Sequence, residues 1–147
     1  MAVAGAILDD ARKCVDICTY KFEISQRADA RGLNYLIQDL YALVVVGVRV
    51  RVLLNITGRR SGLSRLNENT GRTLKARGIE VRYLPDNRCQ HAKMLLIDRS
   101  MGIIGSHNWS PKSMTENFEI SVAIYHPGYL KDIQEHFDKI WEGSKKL

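Results

Sequence analysis

Six residues between positions 91 and 108 stand at spacings that suit chemistry on a phosphate group. Their pattern is His-x-Lys-x4-Asp-x6-Gly-Ser-x-Asn. A neutral imidazole nitrogen can attack phosphorus, while ammonium, hydroxyl and amide groups can donate hydrogen bonds to phosphate oxygens as charge builds on them. Because each residue type occurs about once in twenty positions, a chance match at six fixed positions is improbable. The six residues are His91, Lys93, Asp98, Gly105, Ser106 and Asn108.

The apolar runs beside these residues predict two strands that would hold them. Side chains two apart on a strand point to the same face, so His91 and Lys93 are expected to share a surface. Ser106 and Asn108 are also two apart and follow a strand that ends at Gly105, where the backbone can approach a ligand closely. The two strand ends are therefore expected to form two sides of one phosphate pocket.

Strand and helix patterns alternate along the chain without an internal repeat, which predicts one α/β domain over residues 1–147. The architecture expected is a mixed β-sheet flanked by helices. A glycine-rich, basic segment, Ile56–Leu63, is predicted to be a loop. The predicted helices are Ala2–Lys13, a segment from Gly32 to Gly47, one ending at Gly78, and Pro127–Trp141; the predicted strands are Val15–Phe22, Val48–Asn55, Ile79–Leu84, Lys93–Asp98, Met101–Gly105 and Asn117–Tyr125.

Composition narrows the class of protein. The chain has 147 residues, 45% of them hydrophobic, and carries 22 Lys and Arg against 16 Asp and Glu, a net charge of +6 that favours an anionic partner. Its three cysteines are sparse, which suits reduced thiols in a cytoplasmic compartment. The most apolar stretch, Leu40–Leu54, is interrupted by Arg49 and Arg51, so no integral membrane segment is predicted. No signal peptide pattern is present at the start.

The motif and its strand context resemble the phospholipase D superfamily, and most closely its small single-motif members. These are the bacterial Nuc-type endonucleases and the mitochondrial cardiolipin hydrolase/Zucchini group. The resemblance covers nearly the whole chain and implies a phospholipase D/nuclease-like fold with His91 as the nucleophile. Lys93, Asn108 and Ser106 would then donate to the nonbridging phosphate oxygens. Asp98, near the end of its strand, is expected to support the site rather than transfer a proton.

A second segment resembles the family's Asn-x-Glu motif. It consists of Asn117, Phe118 and Glu119 at the start of an apolar run. The resemblance implies that Glu119 holds the nucleophilic histidine, because a carboxylate on one ring nitrogen fixes the tautomer and stabilises the cation that forms.

One copy of the motif supplies one histidine, whereas the reaction needs both a nucleophile and an acid for the leaving group. The resemblance implies a homodimer in which two copies of His91 face each other. One copy would form a phosphohistidine, and the other would protonate the departing oxygen and then activate water. The expected enzyme is a metal-independent phosphodiesterase without a cofactor. Neither a Cys-x2-Cys pair nor a carboxylate cluster supports the rival interpretation as a metal site.

Nucleic acid is the expected substrate, and an endonuclease the expected activity, because arginines outside the motif could follow a phosphate backbone. A phospholipid headgroup hydrolase or transferase is the alternative, since the same site serves lipid phosphodiesters in this superfamily. A module that only binds nucleic acid is disfavoured because it would not need an intact motif. The candidate substrate-binding residues are Arg59, Arg60, His107 and Trp109.

The start of the chain departs from the family pattern. Family members of this size usually begin with an additional strand, whereas this chain opens almost directly into an alanine-rich helix. A trimmed N-terminus, with an anchor or targeting signal missing from this sequence, is one interpretation of the difference.

Overall fold

A computed structural model describes residues 5, 8–56, 61–84 and 88–147. Seven strands and four α-helices are assigned in this part of the chain, together with one 3-10 helix, Ala28–Ala30. The strands are β1 (Cys14–Thr19), β2 (Arg49–Leu54), β3 (Glu80–Tyr83), β4 (Lys93–Ile97), β5 (Met101–Gly105), β6 (Ser121–Ile124) and β7 (Lys145–Lys146), and the helices are α1 (Arg31–Val45), α2 (Gly62–Lys75), α3 (Pro111–Thr115) and α4 (Pro127–Glu142).

The strands form one mixed sheet in the order β6-β5-β4-β1-β2-β3-β7. Strands β1, β2 and β3 run parallel, while β4, β5 and β6 continue the sheet in antiparallel pairs. The antiparallel pairing of β1 with β4 brings the end of β1 beside the start of β4, where the motif begins. The predicted mixed α/β architecture is therefore confirmed.

Alternation along the central strands divides the core into two layers. Val15, Ile17, Leu95 and Ile97 face one layer, where they are buried with apolar residues of α1 and α2. The intervening side chains, such as Leu96, face a second, smaller layer under α4. Burying each large aliphatic side chain contributes about 1.5–3 kcal/mol, so helices on both faces are needed to cover this sheet.

An ionic cluster lies within the second layer. Arg51 on β2 donates to both oxygens of Asp16, at 2.6 Å each, and to Asp138 of α4 at 2.7 Å. Gln134 of α4 donates to Asp16 at 2.8 Å. Burial lowers the pKa of Arg51, but the two carboxylates outweigh it and hold the pKa above its ordinary value. The cluster ties α4 to the centre of the sheet.

Several predicted boundaries need correction. In the predicted first helix only positions 5 and 8 are helical among the described residues, and a turn follows at 9–10; the rest of its first turn lies outside the described part. Gly62 and Leu63 begin α2 instead of closing the basic loop, because Ser61 accepts a hydrogen bond from the Ser64 amide and caps the helix. Helix α3 and strand β7 were not predicted, and the strand expected over Asn117–Tyr125 is confined to Ser121–Ile124.

Candidate active site

His91 lies in the short segment that leads into β4, with its side chain exposed. The ammonium of Lys93 lies 3.2 Å from His91 Nδ1 and donates to the His91 carbonyl oxygen at 2.5 Å. The Lys93 residue is only 8% exposed, so its charge is held against the imidazole with little room to move. Partial burial lowers the pKa of Lys93, and the Glu119 carboxylate opposes this shift. The first two motif residues thus form one unit, as their spacing predicts.

The contact with Lys93 bears on which ring nitrogen of His91 can react. An ammonium has only hydrogens to donate, so the arrangement suits a lone pair on Nδ1. Attack through Nε2 instead requires the proton on Nδ1, and that proton needs an acceptor. Among the described contacts of His91 within one chain, no carboxylate fills that position.

The buried residue Gln90 fixes the backbone on both sides of His91. Gln90 is 4% exposed, and its backbone N–H donates to Asn55 Oδ1 at 2.8 Å. Its side chain accepts from the Ala92 amide at 2.6 Å and donates to the Ala92 carbonyl at 2.8 Å. The residues flanking the nucleophile candidate are therefore held while its own side chain stays accessible.

The second half of the motif follows β5, whose last residue, Gly105, pairs with Lys93 of β4. Asn108 Oδ1 accepts a hydrogen bond from the Lys21 amide at 3.2 Å, which leaves the side-chain amide nitrogen to donate to a phosphate oxygen. The hydroxyl of Ser106 accepts from the Ile120 amide at 3.1 Å. At Gly105 an added Cβ would lie 2.6 Å from Ser121 Cα, so only glycine permits this approach between β5 and the next segment.

Glu119 lies beside the serine side of the site. Hydrogen bonds from Ser106 and Asn117, with a further one from Ser113, lower the pKa of Glu119 despite the opposing effect of burial. The Asn117 amide donates to Glu119 Oε1 at 3.0 Å. The carboxylate is thus ionised at neutral pH and electrostatically coupled to Lys93, but its described contacts do not include His91. Its role as the acceptor for the imidazole stays a prediction.

Asp98 lies at the opposite end of β4 from Lys93, in the turn that leads to β5. It adopts a positive φ of 52° and accepts hydrogen bonds from the backbone amides of Arg12, Lys13 and Cys14 at 2.7–2.8 Å. Partial burial acts to raise the pKa of Asp98, but these amides outweigh it and lower the pKa. The contacts support a bracing role at the start of β1, remote from the reacting groups.

The structure treats the four candidate substrate-binding residues differently: one lines the cleft, one is buried, and two lie outside the described residues. His107 Nδ1 contacts the Ser121 hydroxyl at 2.7 Å and lines the same cleft as Lys93 and Glu119. Trp109 is 6% exposed and packs on Phe22 with ring centroids 4.9 Å apart. That burial leaves little of the indole for a nucleic-acid base to stack on. Arg59 and Arg60 lie outside the described residues.

The structure adds Tyr20, which sequence reasoning missed. Its ring lies 4.8 Å from the His91 ring, and the Lys93 ammonium lies 5.5 Å from its centroid. The only sequence signal was its place at the end of a predicted strand whose neighbour in the sheet was unknown. The pairing of β1 with β4 decides this contact.

A cleft of about 520 Å³ opens beside Lys93, His107 and Glu119. Its apolar lining includes Leu36 and Leu95 of the first core layer. Its polar groups come from Lys93, His107, Glu119 and Ser121. Among the described residues, no cluster of three or more His, Cys, Asp or Glu side chains is arranged to hold a metal ion. In the same part of the chain, none of the helices has the length and apolar character that a bilayer span requires.

A family model described as cardiolipin synthase, PLD-like domain, matches residues 6–141 of the chain. The chain belongs to this phospholipase D-like family. The family assignment confirms the resemblance identified from the motif.

Individual relatives differ in what their names say they act on. The human mitochondrial cardiolipin hydrolase is 30% identical over 137 residues, which are 90% of this chain and 47% of that protein. The virion nicking-joining enzyme of vaccinia virus (strain Copenhagen) is 25% identical over 140 residues, which are 92% of this chain and 31% of that protein. The chain thus spans about half the length of the cardiolipin hydrolases and about a third of the viral enzyme.

A solved structure with the same fold is that of Nuc from Salmonella typhimurium, a phospholipase D family member. The TM-score is 0.80 at 20% sequence identity, and the match covers 99% of this chain and 89% of that one. The likeness confirms the predicted phospholipase D/nuclease-like fold.

Proposed function

We propose that this PLD-like chain is a metal-independent phosphodiesterase that cleaves nucleic acid through a phosphohistidine formed on His91. The observation that supports the proposal is the adjacency of the two halves of the motif, because Lys93 at the start of β4 pairs with Gly105 at the end of β5. His91 and Lys93 contact each other, and the side-chain oxygen of Asn108 accepts from the Lys21 amide, which leaves its side-chain nitrogen to donate. The candidate nucleophile and phosphate donors thus lie near neighbouring strand ends, which supports electrostatic stabilisation of a phosphate by groups already held in the fold.

In the proposed first step, an imidazole nitrogen of His91 bonds to phosphorus and the bond from phosphorus to the leaving oxygen breaks. Lys93 and Asn108 donate to the nonbridging oxygens as charge builds on them. An acid protonates the departing oxygen. In the second step, water attacks the phosphohistidine, the phosphorus–nitrogen bond breaks, and the imidazole is regenerated. This route gives a metal ion no role.

The acid in this scheme is His91 of a second copy of the chain, which makes the proposed enzyme a homodimer. An exposed apolar row supports this assembly. Phe118 and Ile120, on either side of Glu119, and Val122, on the edge strand β6, are all more than half exposed. Exposed apolar side chains on an unpaired sheet edge favour burial against another chain. A two-fold axis near this row would bring the two clefts together.

The dimer proposal predicts how activity depends on the mixture of two kinds of subunit. Wild-type and His91→Ala chains are refolded together at varying ratios, so that subunits pair at random. If each cleavage needs both histidines, activity falls as the square of the wild-type fraction, and an equal mixture retains about one quarter. Light scattering checks that dimers form at each ratio. Linear dependence, with about one half remaining, would show that each subunit works alone.

The choice of nucleic acid rests on the net charge of +6 and on relatives whose names include a nicking-joining enzyme. A phospholipid is the second candidate, because other relatives are named cardiolipin hydrolases and an exposed apolar row lies beside the cleft. A lipid surface would meet that row only if the row were not buried between two copies of the chain.

Parallel cleavage assays separate these substrates. Single-stranded DNA, duplex DNA, RNA and cardiolipin vesicles are each incubated with the chain in the presence of EDTA. We expect strand cleavage of at least one nucleic acid, no release from cardiolipin, and no effect of EDTA. Cleavage of cardiolipin alone would replace the proposed substrate with a phospholipid. Loss of activity in EDTA that added divalent ions restore would overturn metal independence.

A further inference from the structure

Tyr20 is a half-buried aromatic residue in contact with His91 and Lys93 at the start of β4. Its ring centroid lies 4.8 Å from that of His91, with the rings tilted by 56°, and the Lys93 ammonium lies 5.5 Å from it. We propose that Tyr20 is a positioning residue that fixes the His91 imidazole and the Lys93 ammonium for attack on phosphorus. This inference rests on the proposed phosphodiesterase activity.

The segment that carries Tyr20 is held from two sides although it is neither helix nor strand. From α2, Asn67 donates to the Tyr20 carbonyl at 2.8 Å and accepts from the Phe22 amide at 3.0 Å. Asn67 is fully buried, so these hydrogen bonds are shielded from water. From the second half of the motif, the Asn108 side chain accepts from the Lys21 amide. The backbone beneath the tyrosine ring therefore has little freedom to move.

The same hydrogen bonds connect the two halves of the motif through Tyr20. Asn108 fixes Lys21, the next residue along the chain, and the Tyr20 ring contacts His91 and Lys93. A shift of the tyrosine would move the nucleophile relative to the phosphate donor. Since a displacement of 1 Å at a reacting group can cost about 100-fold in rate, such a link bears directly on catalysis.

The ring also suits the charge that develops in the first step. Forming the bond between a His91 nitrogen and phosphorus places positive charge on the imidazole, beside the ammonium of Lys93. Two neighbouring cations repel, whereas the electron-rich face of an aromatic ring attracts a cation within about 6 Å. Tyr20 thus offsets part of the repulsion, and a phenylalanine ring would do the same.

The test compares Tyr20→Phe with Tyr20→Leu, and uses Tyr35→Leu, an exposed tyrosine on α1, as the matched control. Single-turnover experiments with a labelled, cleavable oligonucleotide measure the rate at which phosphohistidine forms on the protein. We expect Tyr20→Leu to lower this rate and kcat about 100-fold with KM nearly unchanged. Tyr20→Phe and Tyr35→Leu should stay near the wild-type rate. Wild-type kcat in Tyr20→Leu, or equal losses in both Tyr20 variants, would overturn the inference.

A second measurement does not depend on turnover. Ring protons of His91, identified by their absence from the NMR spectrum of His91→Ala, should be displaced by the ring current of Tyr20. The displacement should persist in Tyr20→Phe and disappear in Tyr20→Leu, or in Tyr20→Met if the leucine variant does not fold. Unchanged His91 resonances in a folded variant without the ring would refute the contact. An inactive wild-type chain with the expected NMR shifts would instead refute only the proposed function.

Discussion

Replacement of His91 with alanine is expected to abolish turnover while the fold and the dimer persist. The side chain is exposed, and its neighbours Gln90 and Ala92 keep their own hydrogen bonds without it. Removing a covalent nucleophile typically costs about 10⁴-fold to 10⁶-fold in kcat, because the remaining donors stabilise a reaction that cannot begin. The measurements are cleavage rate, thermal unfolding and light scattering on the same preparation.

His136→Ala is the matched control for this variant. His136 is exposed on α4, which packs on the opposite face of the sheet from the cleft. Its replacement should leave the cleavage rate near the wild-type value. Substantial residual cleavage by His91→Ala would mean that another group is the nucleophile and would remove the basis of the proposed mechanism.

Replacement of Arg51 with alanine is expected to have the largest effect on stability. Asp16 is 1% exposed and would lose a bidentate partner, leaving a buried carboxylate whose described side-chain donor would be Gln134. Removing one member of a buried ion pair costs about 3–5 kcal/mol of unfolding free energy, because the other charge stays desolvated. Urea unfolding at pH 7 measures the change.

Arg49→Ala provides the control on the same strand. Arg49 is exposed and begins β2, two residues before Arg51. Its loss should change the unfolding free energy by no more than about 0.5 kcal/mol, as for most surface substitutions. Similar small losses in both variants would show that the cluster contributes little net stability. Folded Arg51→Ala molecules should cleave at a normal rate, because the cluster lies on the opposite face from the cleft.

Local sequence was sufficient to predict the strands and helices that have a clear hydrophobic period. The apolar alternation of the central strands and the amphipathic pattern of α4 both lie where the sequence predicts them. Short α3 could not be predicted in the same way, because five residues are too few for a helical period to repeat. Strand β7 has only two residues and depends on its pairing with β3, which lies far away along the chain.

The strand expected over Asn117–Tyr125 shows a different limit. Its alternating apolar residues predict a strand throughout, but ladder pairing with β5 covers only Ser121–Ile124. Just before that point, the backbone N–H of Ile120 donates to the Ser106 hydroxyl rather than to a backbone carbonyl of a neighbouring strand. A side chain that replaces a ladder partner cannot be identified from periodicity.

The sequence by itself led to the prediction of the reaction class, because a motif of six residue types indicates a candidate nucleophile and candidate donors without knowledge of the rest of the fold. Their spacing also predicted that His91 lies beside Lys93, and the contact is present although β4 begins only at Lys93. Only the tertiary structure brought Tyr20 to these two residues, buried Trp109 against Phe22, and set Asp98 against the backbone amides at the start of β1. Each of those outcomes depends on which strands are neighbours in the sheet, a long-range choice made by packing rather than by any local pattern.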